Sequence, residues 1–505
     1  MASRVHSIVE TGGLATLVTV ECHVTAGLPH VVIVGFANRA VDEAKERLRA
    51  AFSASQLDFP KKRIVINLAP ADIPKDSSSF DLAMAVSVLL ASKQIASSSY
   101  DTQIIIGELG LNGDIRPVRG IIGKLLAAKS KGYKTFIIPS ENLSQAMLVP
   151  GIMVIAAPTL VTVFDHLTNR KNIKSLETGK GYRPEIRAEK EAIDLSDVSG
   201  QVRAKRVLEI AAAGGHNILF NGPPGTGKSM LAKALPSILP PMNLTETLEV
   251  TQLHSLASQN YDQIITQRPF RAPHHSASEI AIIGGGSAAK PGEISLAHRG
   301  VLFLDEFPEY NRPTIEALRQ PLEDKIITVA RAKHNAQYPA DFMLIATSNP
   351  CPCGFYGTDK TCNCQPHMIL AYQRKLSGPI IDRIDLFTDV DQVKHSALLN
   401  KKGDGQTSTE VREKVANARQ IQYARNGGKT KTNASLSNRE VKNLANLTAE
   451  AEQLLNQAAE RLQISARSYM RLIKVARTIA DLDESPNIET PHISEAIQYR
   501  RITPQ

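Results

Sequence analysis

The 505-residue chain contains no tryptophan, and aromatic residues make up only 5% of it. Stacking platforms for unpaired bases are therefore poorly supplied, and any nucleic-acid contact would have to rest mainly on Lys and Arg. Long hydrophobic runs are also missing. The N-terminus, MASRVHSIVETGG, lacks the continuous apolar stretch of a signal peptide. The most apolar long segment, LVPGIMVIAAPTLVTVF (148–164), is broken by Pro150, Gly151 and Pro158 and reads as a buried strand followed by a helix, too short to span a bilayer. The expected compartment is the cytoplasm, with reduced thiols and no membrane partner. Cysteine is scarce, with 5 residues, yet four of them crowd into ATSNPCPCGFYGTDKTCNCQP (346–366).

The length suggests two to four domains. A hydrophobic content of 42% and a charged content of 22% are ordinary for a globular protein, while the net charge of +9 is a mild footprint for a polyanionic partner. Three regions separate by pattern. Residues 1–170 mix short β-rich runs (LVTVECHV, HVVIVG, RIVINLAP, TFIIP) with helical patterns, among them VDEAKERLRAAF and the nearly all-apolar FDLAMAVSVLLAS. Residues 171–193 are polar and aperiodic, as in a linker. In 194–395, strands such as NILFNG, VLFLDEF and FMLIATSN alternate with helices, the pattern of a parallel α/β sheet. From 396 to 505 the patterns are helical, and there is no internal repeat.

NILFNGPPGTGKSMLAKAL carries the strongest chemistry: a strand, a GxxxxGK[ST] loop and a helix, in that order. Gly222, Gly225 and Gly227, with Pro223, Pro224 and Thr226 between them, let backbone N–H groups close around a phosphate. Lys228 reaches the β/γ oxygens and Ser229 offers a hydroxyl to Mg²⁺. VLFLDEF then delivers two acids to a strand end, Asp305 for the Mg²⁺ shell and Glu306 to polarise the attacking water. ATP and Mg²⁺ are the cofactors these residues imply.

GPPGTGKS, then LDE, then a strand ending in asparagine resembles the AAA+ ATPase core, and DLSDVSGQ (194–201) resembles the segment leading into its nucleotide pocket. The resemblance implies that Asn349 orients the lytic water. LSGPIIDRIDL (376–386) resembles the arginine-finger segment, implying that Arg383 reaches a neighbouring subunit's site. SARSYMRL (465–472) resembles the sensor-2 helix of a C-terminal helical lid, implying contact of Arg467 with the γ-phosphate. A finger acting in trans requires a homo-oligomeric ring, usually a hexamer.

RPFRAPHHSASEIAIIGGG (268–286), the insertion LRQPLEDKIITVARAKHNAQYPADF (318–342) and NPCPCG narrow the likeness to Mg-chelatase-like AAA+ ATPases of the ComM/YifB type, over essentially the whole chain. That type implies a hexameric DNA motor of the helicase or branch-migration kind, acting on single-stranded or branched DNA when it is integrated by homologous recombination in natural transformation. The alternatives are a magnesium-chelatase-type motor subunit that remodels a protein partner, and an ATP-dependent Lon-like protease. Independently, KIITVARAKHNAQYPADF alternates like a hairpin, and its tip carries Arg331, Lys333 and His334, suited to phosphate contact or simply to a solvated turn. A second basic stretch, REKVANARQIQYARNGGKTK (412–431), reads equally as a DNA track or as solvated helix and loop.

PKDSSSFDLAMAV (74–86), GELGLNGDIRPV (107–118) and GIIGKLLAAKSKGYKTFIIPSEN (120–142) resemble the Lon-protease (S5-like) α+β fold, whose Ser–Lys dyad maps onto Ser79 and Lys124. Here, however, SSSFD replaces the protease's GPSAG-like segment, so Phe80 and Asp81 follow the serine. An acid there would keep a lysine charged and unable to take a proton. The expected domain is a non-proteolytic platform.

For Cys351, Cys353, Cys362 and Cys364, a reducing compartment disfavours disulfides. The surrounding Pro, Gly, Asn, Asp and Lys leave no apolar face to bury free thiols. Four soft ligands favour a closed structural Zn²⁺ site, although CxC departs from the usual CxxC spacing. The expected fold class is thus α/β multidomain: a Lon-protease-like α+β domain, an AAA+ P-loop parallel-sheet core and a C-terminal helical lid.

Overall fold

The computed structural model describes residues 3–11, 14–35, 39–71, 78–96, 102–179, 193–257, 263–286, 289–330, 335–375, 380–393 and 406–500. The chain folds as the mixed α/β protein its patterns imply, around two large sheets. The first has eight strands, with Ser3–Thr11 and Leu14–Thr25 paired antiparallel along their length. Alternation along Ser3–Thr11 sends Val5 and Val9 to one face and Ile8 to the other. Helix Asp81–Ala91, the run FDLAMAVSVLLAS, is buried from Asp81 to Leu89 against the first face, while Ile121–Ser130 covers the second.

This sheet runs past residue 170. Leu176–Glu177 pairs antiparallel with Met153 and Val154 as an edge strand, and the buried Thr178 hydroxyl donates to the Val149 carbonyl at 2.5 Å. Two residues are too few to show an alternation, which is why this stretch reads as linker in the sequence.

The second sheet has five parallel strands, in the spatial order Phe270–Arg271, Val301–Leu304, Met343–Ser348, Ile218–Asn221, Leu386–Asp389. Both faces are covered, so its strands read as continuous apolar runs. Ile218, Phe220, Val301, Phe303 and Ile345 pack against the C-terminal helices Ser408–Arg425 and Ala466–Leu482. Leu219, Leu302, Leu304, Leu344 and Ala346 face the inserted hairpin, whose Ile327, Val329, Ala336 and Tyr338 are buried. Helix Leu244–Ala257 joins the two units, with Leu248 against the Ile121–Ser130 face, and Gln145 Nε2 donates to the Gln263 carbonyl at 3.2 Å. Among the described residues, no helix is long and apolar enough to cross a membrane.

Candidate functional site

Parallel register gives the second sheet two unlike edges. Residues 221, 304, 348 and 389 end their strands at one edge, and residues 217, 300, 342 and 385 precede the strands at the other. The glycine-rich loop leaves Asn221 at the first edge and opens helix Lys228–Ile238. Gly222 is required by close approach, since a Cβ there would lie 2.4 Å from the Val390 carbonyl oxygen. Between it and Gly227, the Thr226 hydroxyl donates to the Pro223 carbonyl at 3.1 Å, and Gln201 Nε2 donates to the Thr226 carbonyl at 3.2 Å. DLSDVSGQ thus ends on the loop itself.

Lys228 Nζ donates to the Gly222 carbonyl, to the Pro223 carbonyl at 2.9 Å and to Asn349 Oδ1 at 3.1 Å. Burial pushes its amine down to about 8, against the charges of Asp305 and Glu306. An incoming polyphosphate would restore the proton's advantage, so the residue suits an anion. Ser229 Oγ donates to Asp305 Oδ2 at 3.0 Å, placing a hydroxyl and a carboxylate together as oxygen donors for a hard divalent cation. Thr347 donates to Asp305 Oδ1 at 2.5 Å and accepts from the Glu306 backbone N–H at 2.9 Å. This fixes Glu306 in the left-handed region at φ 51°. The residues present therefore fit ATP with Mg²⁺, and the loop, Lys228, Ser229, Asp305, Glu306 and Asn349 share one edge.

Arg383 and Arg467 do not join them. Arg383 precedes Leu386–Asp389 at the opposite edge, where its carbonyl accepts from Asn217 Nδ2 at 3.0 Å. It is separated from its own loop by a strand of about 13 Å. Its guanidinium is bonded to Glu323, and Arg467 Nη2 lies 3.9 Å from the same carboxylate. One turn after Arg467, Arg471 pairs with Asp385 at 2.8 Å. The two arginines meet at one acid, on the edge remote from their own phosphate loop.

The inserted segment forms the antiparallel hairpin Ile326–Ala330 with Asn335–Pro339. Its tip residues Arg331, Lys333 and His334 lie outside the described residues. In the second basic stretch Arg419, Arg425 and Lys431 are engaged within the fold. Arg419 is buried and donates to the Ala212 carbonyl, Arg425 is paired with Asp481, and Lys431 bonds Glu440 at 2.6 Å. These side chains hold helices together, while Lys414 and Lys429 of the same stretch stand exposed.

The four cysteines come together. Cys351 Sγ lies 3.4 Å from Cys353 Sγ and 3.8 Å from Cys362 Sγ, Cys353 is 3.6 Å from Cys362, and all four sulfurs, Cys364 included, fall within 4.8 Å of one another. Tetrahedral zinc with Zn–S near 2.3 Å separates sulfurs by about 3.8 Å, so the donor set fits the metal. The knuckle also touches the phosphate loop. A Cβ on Gly354 would lie 2.5 Å from Pro224 Cδ, and a side chain there would push the two apart.

In the N-terminal unit Ser79 and Lys124 are both buried. The acid expected to hold Lys124 charged is engaged elsewhere: Asp81 pairs with Arg47 at 2.6 and 3.1 Å and accepts from the Leu109 backbone at 3.3 Å. Lys124 itself donates to the Arg119 carbonyl. Asp81 is still pushed up to about 6 by burial, against Arg47.

The similarity to known proteins is decisive. Family models match three stretches: magnesium chelatase, subunit ChlI, at 194–398; subunit ChlI of Mg-chelatase at 20–142; and the ChlI C-terminal part at 405–500. Competence protein ComM of Haemophilus influenzae is 43% identical over 499 residues, covering 98% of this chain and 97% of that protein. The chain belongs to the Mg-chelatase-like AAA+ ATPases of the ComM/YifB type. An uncharacterized relative in this family, YifB of Escherichia coli, is 41% identical over 501 residues, covering 99% of this chain and 97% of its own. Lon protease 2 of Bacillus subtilis is 40% identical over 100 residues, which is 19% of this chain and 18% of the protease, in keeping with a Lon-like N-terminal fold. Membership makes the chain an ATPase and implies ATP and Mg²⁺.

Sequence reasoning missed Thr347, Glu323 and His275. His275 Nδ1 lies 3.9 Å from Glu306 Oε2, and its ring sits 4.1 Å from that of His274. The stretch PHHSAS was visible, but nothing local ties it to a carboxylate 31 positions later.

Proposed function

We propose that this chain is an ATP-driven ring motor on single-stranded or branched DNA, of the helicase or branch-migration type, which assists integration by homologous recombination during natural transformation. The observation that carries the reading is the split across the sheet. Lys228, Ser229, Asp305, Glu306 and Asn349 stand at one edge and Arg383 and Arg467 at the other, so a complete site needs two copies of the chain. In this reading Lys228 binds the β/γ-phosphates, Ser229 and Asp305 hold the Mg²⁺, Glu306 activates water and Asn349 orients it. Arg383 and Arg467 serve the neighbour's nucleotide in a hexamer. The DNA role is supported by the similarity to a competence protein of Haemophilus, by the net charge of +9 and by the hairpin. The division into a Lon-like platform (1–170, with its sheet reaching residue 177), an AAA+ core (194–395) and a helical lid (396–505) belongs to the same reading, with the platform non-proteolytic and the protein cytoplasmic.

DNA binding by the full-length protein tests it. Affinity should fall steeply with salt, because the contacts are Lys and Arg to phosphate. Neutralising Arg331 and Lys333 together should flatten the log–log salt slope by about 1.4 on single strands, two contacts at about 0.7 each. An unchanged slope would take the hairpin tip out of the DNA path.

The cysteine cluster is assigned a closed structural Zn²⁺, held by Cys351, Cys353, Cys362 and Cys364. It would stiffen a loop that starts two residues after Asn349 and leans on Pro224. Elemental analysis of protein purified without chelators should find about one zinc per chain, since four thiolates complete a structural site. Well under half an equivalent would remove the metal.

A further inference from the structure

Arg383 is only 6% exposed, whereas a guanidinium that completes a neighbour's site has to stand at the surface. Glu323 helps to hold it in, with a carboxylate that bonds it directly and lies 3.9 Å from Arg467. The Arg383 guanidinium in turn holds the Glu323 carboxyl below its ordinary range, with Arg467 and Arg471 adding to the effect. Glu323 sits on the short helix Arg319–Asp324, and Lys325, in the left-handed conformation at φ 60°, turns this helix directly into the hairpin strand Ile326–Ala330. Side chains fasten the helix to the hairpin a second time. Gln320 Nε2 donates to Thr328 Oγ1 and Gln320 Oε1 accepts from the Thr328 backbone, both at 3.2 Å. A displacement of the hairpin therefore carries Glu323 with it.

We propose that Glu323 is an acidic latch that retracts Arg383, and that movement of the inserted hairpin releases the arginine toward the neighbouring subunit's nucleotide. The inference deepens the ring-motor reading and rests on Arg383 acting in trans. Glu323 and the γ-phosphate compete for the same guanidinium, so the latch lowers turnover when nothing holds the hairpin. A polyanion that displaces the hairpin relieves it. Glu323 is a positioning residue; it touches the finger and not the nucleotide.

The test is ATP turnover by full-length Glu323→Gln, a change that keeps shape and removes charge. DNA-free turnover should rise about three- to fivefold, the worth of an ion pair with one half-exposed partner. The further gain on adding single-stranded DNA should shrink relative to wild type. Turnover equal to or below wild type, with nucleotide affinity unchanged, overturns the latch. Gln320→Ala breaks only the second fastening, so it should leave DNA-free turnover alone and weaken the response to DNA; a full response overturns the coupling to the hairpin. Mixing Arg383→Ala subunits with Lys228→Ala subunits keeps the two failures apart. Recovered turnover in the mixture together with an unaltered Glu323→Gln rate rejects the latch alone, whereas no recovery rejects the trans reading beneath it.

Discussion

Glu306→Gln is expected to bind ATP as the parent does and to hydrolyse it at least about a hundredfold more slowly, the ordinary worth of a positioned general base. The substitution keeps the side chain's shape and hydrogen-bonding reach but removes the only group at that position able to accept a proton from water. Neighbouring functions stay intact, because Ser229 and Asp305 keep their 3.0 Å contact and Lys228 keeps its place on the loop carbonyls. The backbone at residue 306 is held by Thr347 independently of the side chain, which is exposed, so little stability is at stake. Phosphate release beside a fluorescent-nucleotide titration separates the two effects. Hydrolysis at the parent rate would move the water-activating role to another residue.

Arg383→Ala should cost about a thousandfold or more in turnover, in the range measured for arginine fingers, with nucleotide affinity little changed. The loss should be curable by a neighbour. Arg383 lies three residues before Leu386, its carbonyl accepting from the Asn217 side chain, a strand length from the loop that follows Asn221, so its own nucleotide is out of reach. Subunits lacking Lys228 cannot turn over but still carry the finger; subunits lacking Arg383 keep the loop. Mixed, they should recover part of the wild-type rate, with a maximum at intermediate ratios. Flat, near-zero turnover at every ratio would place the action of Arg383 within its own chain.

What the sequence disclosed and what it hid divide along range of contact. The phosphate loop, the two acids of LDEF and the strand ending at Asn349 are each a local pattern of strand, turn and helix, and each stands where its pattern puts it. The hairpin was legible from its alternation, and the burial of FDLAMAVSVLLAS from its lack of a polar face. The cysteine cluster was legible because four soft ligands in fourteen residues, with Gly354 and Gly357 between the pairs, need only one local turn to meet. The partners of charged groups were not. Asp81 finds Arg47, 34 positions earlier, in place of the lysine expected to face it. Arg419, Arg425 and Lys431 are paired within the fold, although a count of basic residues offered them to DNA. Arg467 stands beside Arg383 because helix Ala466–Leu482 lies along the start of the strands, where Arg471 meets Asp385 and His216 bonds Thr478 at 2.8 Å. No periodicity in a single stretch encodes such contacts, which depend on how the helical region docks on the sheet.

The central claim is that ATP hydrolysis by this chain is work done on DNA. Steady-state ATP turnover by the full-length protein, measured without DNA and then with single-stranded and branched DNA at constant salt, tests it most directly. The account predicts a rate that rises to saturation with DNA, loses that rise as salt increases and disappears in Glu306→Gln. A rate indifferent to DNA at every concentration and salt would contradict it.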